Sequence, residues 1–345
     1  MGCKAFGQSA GAALAMMTVT IGVVVAATPV SADATSGFGP LDRPGPALSV
    51  PDDQLDASIS CTANARDSER NVVLFVPGTG FTPQEDYGLS WFRAMDRLGW
   101  AYCSVTEPDH ALGDAQISAQ YVVNAIRHVH EISGHKVDII GHSQGGTEPR
   151  FALRFWPDLR PLVDDYIGLA ATNHGSVIAD ATCNGLVGCA PAGWQQATDS
   201  NYVRAMNSGQ ETFAGISYTD IYTHTDEVVQ PNFDNTGSSS LHTGDGEITN
   251  AAVQDICPFD ITDHIGVGTS DPVAYAIALD ALTHPGPADP ARVSREVCGH
   301  IFMPGVDPWT YPARETAIVA TAAARLLVHA RIPTEPKLDP YVYGN

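Results

Sequence analysis

The chain has 345 residues, 44% of them apolar, which is enough for one large core and too little for two independent catalytic domains. A formal charge of −21, with no basic patch to reverse it locally, works against binding nucleic acid or anionic lipid. Its 32 glycines and 24 prolines follow no period, which excludes a collagen-like or low-complexity chain and predicts a loop-rich globular protein.

Lys4 precedes an apolar run from Ala10 to Ala27, and small-residue sites follow at Val30-Ser31-Ala32 and Ala32-Asp33-Ala34. This predicts a secretory signal peptide over residues 1–34, because the run falls short of the roughly 20 residues a membrane-spanning helix needs. Cys3 lies on the wrong side of the run for a lipid anchor. Cleavage leaves six cysteines, Cys61, Cys103, Cys183, Cys189, Cys257 and Cys298, an even number that suits disulfides in an exported protein. None has metal-site spacing, so neither a metal nor another cofactor is expected, and spacing alone leaves the pairing open.

Residues 35–54, with Pro40, Pro44, Pro46 and Pro51, read as an extended lead-in, and the catalytic domain is expected over 55–345. From Leu55 onward, short β-rich apolar runs alternate with longer helical patterns. That pattern predicts an α/β fold with a mostly parallel central sheet and helices on both faces. Val72–Val76 reads as a buried strand ended by Pro77-Gly78, and Tyr87–Leu98 as a helix. Trp100–Val105 is a strand, Gln116–Ile132 a helix, Val137–Ile140 a strand and Gln144–Phe155 a helix. Further strands are expected at Asp165–Ala170 and Ile216–Tyr222, a helix from near Pro272, and an Ala/Leu-rich helix over Ala313–Ala330. Ligands of such sheets bind beyond the carboxyl ends of the strands.

The pentapeptide Gly141-His142-Ser143-Gln144-Gly145 falls between a predicted strand and a predicted helix, as a nucleophile elbow requires. Glycines on either side let strand and helix approach closely while the serine takes a strained backbone. His142 reads as a pocket or packing residue and not as the base. Pro77-Gly78-Thr79-Gly80 follows the first strong strand, where this fold supplies one oxyanion donor. Gln144, after the nucleophile, supplies the second through its backbone N–H, and the Thr79 hydroxyl offers a third.

The acid must follow the serine in the chain, and the base must follow the acid. Asp226, just past the strand at Ile216–Tyr222, is better placed than Asp220 within that strand or Glu227 beside it. Of the histidines after Asp226, His264 is the best placed, in a short loop Ile261-Thr262-Asp263-His264-Ile265-Gly266. His300 also satisfies the order, whereas His242, His284 and His329 read as surface or capping residues.

The strings PGTG, GHSQGG, Trp194-Gln195-Gln196, TDEVVQP and ITDHIG, in this order, resemble the family of Candida antarctica lipase B and its bacterial relatives. The likeness runs from about Leu55 to near Ala330. It implies an α/β-hydrolase fold with a small lid at about 176–193 and a triad of Ser143, Asp226 and His264. It also implies an oxyanion hole of Thr79 and Gln144, an acyl-side Gln196 and site-lining Val228 and Val229. The family pairs Cys61 with Cys103 and Cys257 with Cys298, which leaves Cys183 and Cys189 for a clip inside the lid. Two pocket positions depart from the family: His142 stands in place of a tryptophan and Thr172 in place of an aspartate. The family's C-terminal disulfide has no counterpart here.

The resulting expectation is a secreted, monomeric serine hydrolase that cleaves carboxylic esters or lipids, at an oil-water interface and with no stable membrane anchor. Within the same chemistry, a polyester- or cutin-type hydrolase or an amidase is the alternative. A non-catalytic binding protein on this scaffold is disfavoured, because the full set of catalytic residue types is present.

Overall fold

A computed structural model describes residues 37–344, so the predicted signal peptide lies outside the described residues. Seven strands form one sheet: β1 (Ile59–Cys61), β2 (Val72–Val76), β3 (Tyr102–Val105), β4 (Val137–His142), β5 (Val163–Leu169), β6 (Ser217–Tyr222) and β7 (Glu247–Ala252). Their spatial order is β1-β3-β2-β4-β5-β6-β7, with β1 antiparallel to β3 and every other pair parallel. The helices are α1 (Asp52–Ala57), α2 (Pro83–Tyr87), α3 (Trp91–Leu98), α4 (Ala115–Ser133), α5 (Gln144–Phe155) and α6 (Val177–Thr182). They continue with α7 (Pro191–Gln195), α8 (Asn201–Met206), α9 (Val253–Ile256), α10 (His264–Thr269), α11 (Pro272–Thr283) and α12 (Tyr311–Val328). This is the mostly parallel sheet, flanked by helices, that the alternation of short apolar runs and helical patterns predicts.

The period of two along β2 divides the core between the two faces. Val72, Leu74 and Val76 pack with α4, α5 and α8 on one face. Val73 and Phe75 pack with α3 and α11 on the other. All five are fully buried, which is why the run reads as continuously apolar instead of alternating.

Several elements differ from the sequence-based expectation. The helix expected over Tyr87–Leu98 is two helices, because Ser90 leaves helical geometry (φ −142°, ψ −85°). Tyr87 belongs to the preceding turn, where a Thr82/Glu85 capping box starts α2 and the Tyr87 hydroxyl donates to the Val76 carbonyl at 2.6 Å. The strand expected from Trp100 starts at Tyr102, since Gly99 closes α3 in the left-handed conformation (φ 66°) and the chain needs two residues to regain the sheet. His264 lies at the first position of α10 and not in a loop, with the Asp263 carboxylate accepting the Gly266 N–H at 2.7 Å.

Residues 38–50, with a turn at 41–42, are fastened to the domain. Trp156 Nε1 donates to the Pro46 carbonyl (2.9 Å), and Phe38, Leu41, Leu48 and Val50 pack onto the core. Disulfides join Cys61 to Cys103, Cys183 to Cys189 and Cys257 to Cys298. No helix among the described residues is long and apolar enough to cross a membrane.

Candidate active site

The carboxyl ends of β4, β5 and β6 converge on one cavity of about 280 Å³. Thr79, His142, Ser143, Thr172, Gln196, Val228, Val229 and His264 all line it. Two larger clefts, of about 560 and 620 Å³, lie beside α11 and the 257–306 region, and neither contains the serine.

Ser143 joins β4 to α5 with φ 55° and ψ −121°, a conformation that L-residues avoid. The flanking glycines make this turn possible. A Cβ on Gly141 would lie 2.1 Å from the Gly145 carbonyl oxygen, and one on Gly145 would lie 2.2 Å from the Val76 carbonyl oxygen. Ser143 is thus held at the N-terminus of α5, where unpaired amides and the helix dipole favour developing negative charge.

Asp226 and His264 are both nearly fully buried, with His264 Nδ1 at 3.0 Å from Asp226 Oδ2. The other carboxylate oxygen accepts the Val228 N–H (2.9 Å) and the Val229 N–H (2.7 Å), so the carboxylate cannot swing away from the imidazole. The His264 backbone N–H is anchored by Glu227 Oε2 at 3.1 Å. With Nδ1–H given to Asp226, Nε2 is the ring nitrogen available to exchange a proton at the cavity.

Beside the serine, Thr79, Gln144 and Gln196 form a closed polar ring. The Thr79 hydroxyl, expected as an oxyanion donor, instead donates to Gln144 Oε1 (2.6 Å) in this arrangement. Gln196 Nε2 donates to both Thr79 Oγ1 and Gln144 Oε1 (3.0 Å each), and Thr172 Oγ1 donates to Gln196 Oε1 (3.3 Å). On its inner side Gln144 Nε2 donates to Glu148 Oε1 (2.8 Å) and to the Ala111 carbonyl (3.0 Å). Burial raises the pKa of both Glu148 and its neighbour Glu107, and their mutual repulsion raises that of Glu148 further.

Among the remaining sequence candidates, Asp220 is buried within β6 and accepts from Asn173 Nδ2 (2.7 Å). Among the described residues, Asp220, Glu227, His242, His284, His300 and His329 do not line the serine's cavity. His142, by contrast, is fully buried behind Ser143, with Nδ1 2.9 Å from Asp86 Oδ1 and Nε2 3.3 Å from the His264 carbonyl.

Sequence reasoning missed Asp86, Glu107 and Glu148, whose partners lie far away in the chain. It also missed that Val319, Ala322, Ala323 and Leu326 of α12 form a wall of the cavity. No local pattern marked the three carboxylates, whereas the apolar stripe on α12 was visible but had no assigned neighbour.

Comparison with known proteins agrees with this architecture. Residues 104–254 match the family described as Lipase (class 2). Lipase B of Pseudozyma antarctica is 32% identical over 320 residues, covering 92% of this chain and 90% of that protein. The crystal structure of Aspergillus fumigatus lipase B superposes with a TM-score of 0.80 at 30% identity, covering 88% of this chain and 74% of that one.

Proposed function

We propose, from the premise that this chain belongs to the lipase B family and is a carboxylic ester hydrolase, that it works by acyl transfer through Ser143. The observation that carries the proposal is the buried Asp226–His264 pair, 3.0 Å across, opening on the same cavity as the strained serine. His264 takes the Ser143 proton as Oγ attacks the ester carbonyl. The backbone amides of Thr79 and Gln144 receive the oxyanion, and His264 then protonates the departing alcohol. Water, deprotonated by the same imidazole, releases the acid and restores the serine. Asp226 fixes the productive tautomer of His264 and stabilises its cation.

The substrate is an ester with an apolar acyl group, because Phe81, Ile178, Ile265, Val319 and Leu326 line the cavity. Val177 at the start of α6 and Leu186 and Val187 inside the Cys183–Cys189 clip are exposed, and these apolar side chains suit an oil-water interface. The enzyme acts outside the cell, a reading supported by three disulfides and by the signal-like residues 1–34. Rates on p-nitrophenyl and triglyceride esters of increasing acyl length, with and without emulsion, test the reading. Hydrolysis that rises with an interface supports it, and activity confined to amides contradicts it.

A further inference from the structure

Behind the nucleophile stands a second, wholly buried acid–histidine pair to which the acyl-transfer chemistry gives no role. Asp86 on α2 and His142 at the end of β4 have fully buried side chains. Asp86 Oδ2 accepts the Gly78 N–H of the oxyanion loop at 2.7 Å, and both its oxygens face His142 Nδ1, at 2.9 and 3.2 Å. The other imidazole nitrogen, Nε2, faces the backbone carbonyl of His264 at 3.3 Å. Both ring nitrogens of His142 therefore confront oxygen acceptors.

A neutral imidazole has one N–H and one lone pair, so either tautomer would set a lone pair against an oxygen. With Asp86 ionised, only the ring with both nitrogens protonated satisfies both contacts. The proton between Asp86 and Nδ1 favours the nitrogen, because an imidazole is ordinarily the stronger base of the two. We propose that His142 is held as a buried imidazolium that positions His264 and opposes its premature protonation. The proposal rests on the reading of His264 as the base.

Two consequences follow from this charge. First, one chain of contacts, Gly78 to Asp86 to His142 to the His264 carbonyl, ties the oxyanion loop, the elbow and the base together through two side chains. Second, the His142 and His264 rings are 5.1 Å apart, so a cation on His142 makes a second cation on His264 costly.

The charged groups around His142 agree with this assignment. Burial by itself would push its pKa down, but the charge and hydrogen bond of Asp86, the His264 carbonyl and the field of Asp226 outweigh that and hold it above the ordinary value. From α12, Glu315 also feels His142, and its carboxyl is raised to about 7 by burial and by Asp86. Tyr87, next to Asp86, meets only the backbone, its hydroxyl accepting the His142 N–H at 3.0 Å. Gly268 leaves room for the ring, since a Cβ there would lie 2.3 Å from it.

Ring ¹⁵N spectra of the full-length Ser143→Ala protein between pH 5 and 8 read the protonation of His142 directly, without needing activity. Both His142 nitrogens are expected to carry protons across the range, and a neutral ring at pH 7 overturns the proposal. In the active enzyme, His142→Gln is expected to move the acid limb of kcat/KM to higher pH by about half a unit or more, the shift for unit charges at this distance even in water. An acid limb that stays in place in folded His142→Gln also overturns it. If Ser143→Ala retains hydrolysis, the triad reading falls, while the ring spectra still decide the state of His142.

Discussion

Gly145→Ala tests how closely the elbow is built. The new Cβ would lie 2.2 Å from the Val76 carbonyl oxygen, 2.5 Å from the Pro77 oxygen and 2.7 Å from the Val76 carbonyl carbon. All three are backbone atoms, so no side chain can rotate aside. Restoring van der Waals contact requires roughly 1 Å of separation between the start of α5 and the end of β2, an overpacking that costs about 1–3 kcal/mol. Val76 and Pro77 lead directly into Gly78 and Thr79, so the displacement falls between Ser143 and the proposed oxyanion donors. A misplacement of that size costs about 100-fold in rate. The assay is kcat/KM on a short p-nitrophenyl ester beside the thermal midpoint. Gly99→Ala is the control, since its Cβ would meet nothing within 4 Å and only its φ of 66° is strained. That variant should lose about 1 kcal/mol of stability and keep its rate. A Gly145→Ala enzyme within twofold of the parent would refute the reasoning.

Asp226→Asn should keep the two amide contacts through its oxygen but present an NH₂ to His264 Nδ1, forcing the wrong tautomer. A fall of about 10⁴ in kcat with little change in KM is expected from steady-state kinetics. At the opposite end of the sheet, burial raises Asp165 to about 9 and Asp138 to about 7, with neighbouring carboxylates adding to both. The native state thus keeps protons that the unfolded chain releases above about pH 4, and stability declines as pH rises from there towards 9. Thermal midpoints of Asp165→Asn should fall less steeply between pH 5 and 9 than those of the parent, and parallel curves would contradict this. Opening the Cys183–Cys189 clip with a double Ser substitution frees a loop whose closure is worth about 2 kcal/mol in chain entropy. Limited proteolysis should then cut within 177–189 sooner, while the rate on a short ester stays within about twofold.

The elements that local pattern alone determines were legible in the sequence. The run Val72–Val76 is apolar because both faces of a central parallel strand are covered, and α5 begins where the elbow glycines require it to. By contrast, β7 (Glu-Ile-Thr-Asn-Ala-Ala) is polar and only partly buried, and it is a strand because β6 offers it a parallel edge. The antiparallel β1 is too short to carry an alternating signal, and its pairing with β3 is tertiary. The same distinction runs through the site. Ser143, Thr79 and Gln144 lie in motifs whose chemistry is local, whereas the partner of His142 is 56 residues away and that of Glu148 is 41 residues away, across two folded faces. That Asp226 lies past β6 and Asp220 inside it was legible because the run Ile216–Tyr222 marks the strand to within a residue. The role of α12 needed a neighbour that no periodicity names.

Labelling with a p-nitrophenyl alkylphosphonate, followed by mass mapping of the tryptic peptides, tests the central claim most directly. A single phosphonyl adduct on Ser143, formed in step with loss of ester hydrolysis and absent from Ser143→Ala, is the predicted result. An adduct on another residue, or full hydrolysis by Ser143→Ala, would contradict it.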